Sequence, residues 1–198
     1  MPVNHDSASA MHQPARSRFM LVHVFAIILV LVVFLAALLK PSPLTDYIAN
    51  VRNKEKLTNC LSNSKFIGLA MVMYSDDYDG KLPPVKNWQP DIQPYIKRTD
   101  VFNCPSAKDI RYSYGMNNQI GNKPLQKIKE PATTALAFDC SLPKTNAWGS
   151  RKAVDFRHRV DSKNIANFVF ADGHAAKVYD KKTNTPYDKS VDQVRWAP

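Results

Sequence analysis

With 198 residues, 44% of them apolar and 22% charged, the chain is too rich in apolar residues to be disordered, and it has room for one ordinary domain plus an appendage. Its formal net charge of +10 would attract nucleic acid, anionic lipid or acidic polysaccharide, but the basic residues are scattered, which reads as a solvated surface. The three cysteines form no CxxC or Cys/His cluster, which excludes a zinc-finger framework, and no phosphate-binding loop or nucleophile–base motif occurs.

Residues 1–18 read as a cytoplasmic leader, with Arg16 and Arg18 against Asp6. Phe19 to Leu39 (FMLVHVFAIILVLVVFLAALL) follows, with His23 as its one strongly polar side chain. At about 1.5 Å per residue this run spans roughly 31 Å, the thickness of a bilayer's hydrocarbon core. Backbone groups in lipid must bond to one another, so the run is expected as a transmembrane helix. A cleaved secretory signal is the competitor, but its apolar stretch is shorter and ends in a small-x-small site. Here the run ends in Lys40-Pro41-Ser42-Pro43.

Pro41 and Pro43 disturb the helix at the membrane surface. Helical spacing then resumes through Leu44, Tyr47, Ile48 and Val51, and continues through Leu57, Cys60, Leu61, Ile67, Met71 and Tyr74. Residues 40–78 are therefore expected as an amphipathic helix continuing the membrane helix through a kink. Asp76-Asp77-Tyr78-Asp79-Gly80 and Pro83-Pro84 supply the turn that ends it. Residues 79–180 read as an α+β domain. It opens with a proline-punctuated loop and a short helix near Ile92 to Lys97. Weak strands follow at Arg111 to Tyr114 and Thr133 to Phe138, then an irregular stretch from Ser141 to Asp155. Asn167 to Ala171 and His174 to Tyr179 read as two strands joined by a two-residue turn, Asp172-Gly173. Residues 181–198 read as a loose tail. The sum is a long N-terminal helix, membrane-spanning and then amphipathic, packed on a small antiparallel β-sheet.

Among the cysteines, Cys60–Cys104 is the pair expected for a disulfide outside the cytoplasm, tying the helix to the domain and leaving Cys140 over. Buried unpaired thiols are the alternative.

Three segments resemble the type IV pilin-like proteins, in particular the pseudopilin-like proteins of type II secretion. The first is the apolar helix running into Cys60-Leu61-Ser62-Asn63-Ser64-Lys65-Phe66-Ile67-Gly68-Leu69-Ala70. The second is Val101-Phe102-Asn103-Cys104-Pro105-Ser106. The third is Arg157-His158 with Asn167-Phe168-Val169-Phe170-Ala171-Asp172-Gly173-His174. It is similar to the family's prepilin-processing-associated signature of a histidine, a spacer and Asp-Gly, the family's spacing of nine residues being 13 here. An insertion around Val160 to Lys163 accounts for the difference.

The resemblance implies a pilin-like fold and a non-enzymatic subunit of a type II secretion or type IV pilus-like assembly. It places the chain in the inner membrane, with the N-terminus cytoplasmic and the C-terminal domain periplasmic or otherwise extracytoplasmic. The expected partners are the bilayer and other pilin-like or secretion-assembly subunits, not nucleic acid. Processing would fall between Arg18 and Phe19. The family's glycine before that point and its glutamate are here Arg18 and His23, which leaves open a second expectation: a monomeric, anchored binding module, neither processed nor assembled.

No cofactor is expected. Asp77-Tyr78-Asp79-Gly80 opens like a calcium loop but lacks the third acidic ligand and the closing glutamate. Calcium at Asp77 and Asp79 is a candidate, since some pseudopilins bind it in a loop, and a solvated turn is the reading preferred. Asp139, His158, Asp172 and His174 all fall at strand ends or turns. They are candidates to converge as a divalent-metal site or an acid–base pair, against a structural role for each. Trp88, Tyr95, Tyr112, Tyr114 and Trp196 could stack on bases, but they read better as anchors of the domain's packing.

Overall fold

The apolar run folds as helix α1 (Ala15–Leu38, 24 residues) in the computed structural model, which describes residues 15–38, 43–98, 100–107, 112–180 and 191–197. At 1.5 Å per residue α1 is about 36 Å long. Its described side chains, from Met20 on, enter no core, Ile28 being 49% and Met20 75% exposed. Among the described residues, one helical stretch is long and apolar enough to cross a membrane, and α1 is its apolar part. A helix apolar on every side needs lipid around it. Met1–Asp46 forms one unit and Tyr47–Pro198 the other. The expected kink at Pro41 lies outside the described residues.

Helix α2 (Pro43–Asp77, 35 residues) begins on proline, whose missing N–H costs nothing in a first turn. It buries Leu57, Cys60, Ile67, Met71 and Tyr74, spaced by three, four or seven residues, so one stripe faces the domain. The helix stops where Asp79 (φ 52) and Gly80 (φ 73) turn left-handed. There the Gly80 N–H donates to the Ser75 carbonyl at 2.8 Å, which satisfies a carbonyl of the last turn. Helix α3 (Trp88–Ile92) passes into a 3-10 turn at Gln93–Tyr95. It starts four residues ahead of the expected Ile92, because Pro90 is tolerated in a first turn whereas Pro94 bars continuation of the α-helix.

Among the described residues six strands follow: β1 (Tyr114–Asn117), β2 (Ala135–Asp139), β3 (Trp148–Gly149), β4 (His158–Val160), β5 (Lys163–Phe170) and β6 (Ala175–Tyr179). Their order is β3-β1-β2-β5-β4, with β6 also on β5. β6 follows one edge of β5 from Ile165 to Val169. The other edge is shared end to end: β4 pairs with Lys163–Ile165 and β2 with Phe168–Phe170. The sheet is small, open and mixed. The expected all-antiparallel sheet is corrected by β3, which pairs parallel to β1; this two-residue strand sits inside the stretch read as irregular.

The hairpin turns also differ from expectation. Four residues, Ala171 to His174, lie between β5 and β6, and His174 pairs with Phe170 to leave a three-residue loop, Ala171 to Gly173. Phe170 N–H donates to the His174 carbonyl, and Gly173 N–H to the Phe170 carbonyl, each at 2.9 Å. Gly173 alone in this loop is left-handed, at φ 87, as in a type I turn with a glycine bulge. The two-residue hairpin lies instead at Asp161-Ser162, where Val160 pairs with Lys163 and the turn residues have φ of 49 and 63.

Both sheet faces are covered. On one, α2 lays Cys60, Ile67, Met71 and Tyr74 against Met116, Leu136 and Val169, and Leu57 against Ile165. Gly68 is the closest approach: a Cβ there would lie 2.4 Å from Val169 Cγ1. On the other face Phe138, Phe168 and Phe170 gather with Val178 and Trp196. The Trp196 ring meets Phe138 edge-on at 5.1 Å, and Ala135 N–H donates to the Arg195 carbonyl at 3.0 Å. Residues 191–197, read from sequence as part of a loose tail, thus close the second face; 181–190 lie outside the described residues.

Candidate functional site

The junction on β5, where β2 ends and β4 begins, leaves Asn167 without a strand neighbour on that edge. Side chains fill the gap. Asn167 N–H donates to Asp139 Oδ2 at 2.7 Å, and the same oxygen lies 3.2 Å from His158 Nε2. Asn167 Nδ2 is 3.2 Å from His158 Nε2, and Cys104 Sγ is 3.6 Å from it. The Asp139 and His158 side chains are fully buried. Asp139 Oδ1, His158 Nδ1 and Asn167 Oδ1 are buried without a hydrogen-bond partner among the described residues. Buried polar atoms are ordinarily satisfied, so three orphans in one cluster require an explanation.

Cys60 of α2 and Cys104 form a disulfide, with Cα atoms 5.3 Å apart. Closing a loop of 44 residues removes roughly 4 kcal/mol of unfolded-chain entropy in the chain-entropy account. Around this staple, Tyr114 Oη donates to the Cys60 carbonyl at 3.3 Å and Asn63 Nδ2 to the Asn103 carbonyl at 3.0 Å. Burial holds the Tyr114 hydroxyl well above its usual range. Cys140 is free and buried, and burial pushes its thiol up.

Arg157 braces the cluster from behind. Its Nη2 donates to the carbonyls of Ser113 and Cys140, and its Nε lies 3.1 Å from Asp155 Oδ2. Among the described residues, clefts border the cluster on two sides. One of about 460 Å³ is lined by Asn59, Asn63, Arg98, Asp100 and Cys104. The other, of about 200 Å³, is lined by Lys56, Ser106, Arg157, His158 and Arg159.

The four residues considered for convergence form two separate pairs. Asp139 meets His158. Asp172 meets His174, with Nδ1 2.5 Å from Oδ1, at the β5–β6 loop beyond Phe170, at least roughly 10 Å along the strand from Asn167. Burial acts to raise the Asp172 carboxyl, but hydrogen bonds from the His174 ring and backbone N–H outweigh it and hold it below the usual range. The His174 ring stacks on Phe170 at 4.6 Å, so this pair closes the turn. Asp77 accepts the Tyr95 hydroxyl at 2.6 Å, which pushes that hydroxyl up to about 12. Asp79 Oδ2 lies 3.9 Å from Lys81 Nζ. Arg18 and Phe19 fall within α1. Trp88 and Tyr114 are buried, the Trp88 Nε1 donating to the Ala147 carbonyl at 2.9 Å, so neither offers a face to a base.

Asn167 and the Cys104–His158 contact were not singled out from the sequence. An asparagine inside a strand gives no signal until its neighbour strand is known to stop. No family model, no curated protein and no solved structure matches this chain.

Chemically, the cluster is not laid out as a nucleophile relay. A relay needs the orienting carboxylate and the nucleophile on different imidazole nitrogens. Here Asp139 and Cys104 both approach Nε2. Thiolate, not disulfide sulfur, ligates metal, so the cluster as it stands is a redox-closed set of three donor atoms, from Cys60, Cys104 and His158, within 4.8 Å of one another.

Proposed function

We propose that the chain is a membrane-anchored structural subunit that assembles side by side with others through its long helix, a pilin-like protein. Within that class, the resemblance of the three segments described above favours a pseudopilin-like subunit of a type II secretion or type IV pilus-like assembly. Its N-terminus would lie in the cytoplasm and its domain outside the inner membrane. The observation that carries the reading is the outward face of α2. Ile48, Val51, Phe66, Leu69 and Met73 are between 40% and 56% exposed. At about 100° per residue they fall within roughly 60° of arc, clear of the stripe packed on the sheet. An apolar seam on the far side of an already packed helix is a surface in want of a partner, and a helix from a second subunit fits its length and width.

A photocrosslinker at Leu69, in native membranes, tests this. Adducts with further copies or with other pilin-like subunits support assembly; a lone uncrosslinked monomer at native expression refutes it. The second reading, an anchored monomeric module, is favoured by Arg18 and His23 standing where the family has glycine and glutamate. Mass determination of the mature N-terminus separates the two. A methylated Phe19 marks processing for assembly, and an uncut leader marks the monomeric module.

A further inference from the structure

We propose that reduction of Cys60–Cys104 converts the buried cluster into a binding site for one thiophilic divalent ion of the zinc class, held by Cys60 Sγ, Cys104 Sγ and His158 Nε2, with the fourth position left to solvent. The spacing carries the inference. Zn–S bonds of about 2.3 Å and a Zn–N bond of about 2.0–2.1 Å, at tetrahedral angles, put sulfur about 3.6 Å from nitrogen. Cys104 Sγ lies 3.6 Å from His158 Nε2. The donor atoms of Cys60, Cys104 and His158 lie within 4.8 Å of one another, all buried.

Charge also fits. Two thiolates neutralise a divalent ion, so a buried site is not left with an uncompensated cation. An entry path exists, since Cys104 borders the larger cleft and His158 the smaller, with Pro105 lining both.

The chemistry balances with a dithiol as reductant. The dithiol gives up two electrons and two protons and becomes a cyclic disulfide, while the Cys60–Cys104 bond breaks into two thiols. The ion then displaces both thiol protons to solvent and forms two metal–sulfur bonds. Either form joins α2 to the segment around Cys104, so the staple persists in both redox states.

The test uses the full-length chain in detergent micelles, carrying Cys140→Ser to remove the third thiol, with Co²⁺ as the probe. After reduction with dithiothreitol and its removal without oxygen, one equivalent of Co²⁺ should give thiolate-to-cobalt charge transfer and tetrahedral d–d bands. The oxidised chain should give neither, and excess Zn²⁺ should erase both. His158→Ala should weaken binding more than about 100-fold, beyond the loss of an outer-shell partner. Should that variant not fold, X-ray absorption on the Zn²⁺-loaded, reduced chain decides: two sulfurs with nitrogen or oxygen support the site. Absence of the bands in the reduced chain, bands undiminished in a folded His158→Ala, or a shell without sulfur would each overturn it.

Discussion

Gly68→Ala sets two well-measured effects against each other. Alanine is the better helix former by about 1 kcal/mol, and Gly68 lies inside α2 with ordinary helical geometry, so propensity alone predicts stabilisation. The new Cβ, however, would sit 2.4 Å from Val169 Cγ1. Val169 is 1% exposed and β-branched, so its methyl can move only by forcing β5 or α2 apart. Overpacking of that kind costs roughly 1–3 kcal/mol, and with a contact this short the upper half of the range applies. The expected net loss is about 1–2 kcal/mol. Val169→Ala alone should cost about 2–3 kcal/mol through the lost methyls and the space they leave. In the double variant the methyl introduced at position 68 occupies that space and the helix preference of alanine is realised, so the combination should be less destabilising than Val169→Ala by itself. Denaturant unfolding in micelles, followed by tryptophan fluorescence, gives the four corners of the cycle. A stabilised Gly68→Ala, or strictly additive effects, would refute the close approach of α2 to β5.

Trp196→Ala should cost about 2–3 kcal/mol by uncovering Phe138 and Phe168, read as a lower denaturation midpoint; an unchanged midpoint would mean that residues 191–197 do not close the second face. Cys140, buried and with its thiol pushed up, should resist alkylation in the native chain and react fully after unfolding. Rapid labelling under native conditions would contradict its place behind β2. Asp172 is held below its unfolded value, so its contribution is present above about pH 4 and is lost as pH falls through the folded value. Asp161, lowered by the Asn50 and Lys54 contacts, acts in the same direction. Stability measured from about pH 6 to about pH 2 should therefore fall less steeply for Asp172→Asn than for the parent chain, and parallel curves would remove the His174 contact from the account.

The two long helices were legible because their signals are cumulative: an unbroken apolar run for α1, and a three-and-four spacing across many turns for α2. Strand order was not, because it depends on which edges are left unpaired. β4 is three residues long, His158-Arg159-Val160, too short for alternation to register. The Asp161-Ser162 turn carries no glycine, so its left-handed backbone gave no warning, while Asp172-Gly173 suggested a tighter loop than it forms. Asp139 and His158 were visible as strand-end residues. That they meet each other, and not Asp172 and His174, follows from β5 running as one straight strand between the two pairs. The cysteine pair was expected, but its contact with His158 rests on β2 and β4 abutting along one edge, which no local pattern encodes.

The tip of the β4–β5 hairpin touches α2 near its start. Asp161 Oδ1 accepts from Asn50 Nδ2 at 2.6 Å, and Lys54 Nζ lies 3.2 Å from Oδ2. Further along the same helix, Cys60 is bonded to Cys104. A tug applied along the helix axis is therefore met first by exposed polar contacts, which yield cheaply and re-form, and then by a covalent cross-tie that does not yield. The globular part is harnessed to its stem like a load on a shackle with a soft lashing ahead of it. Repeated axial jolts would work the lashing and leave the shackle and the sheet beneath it intact.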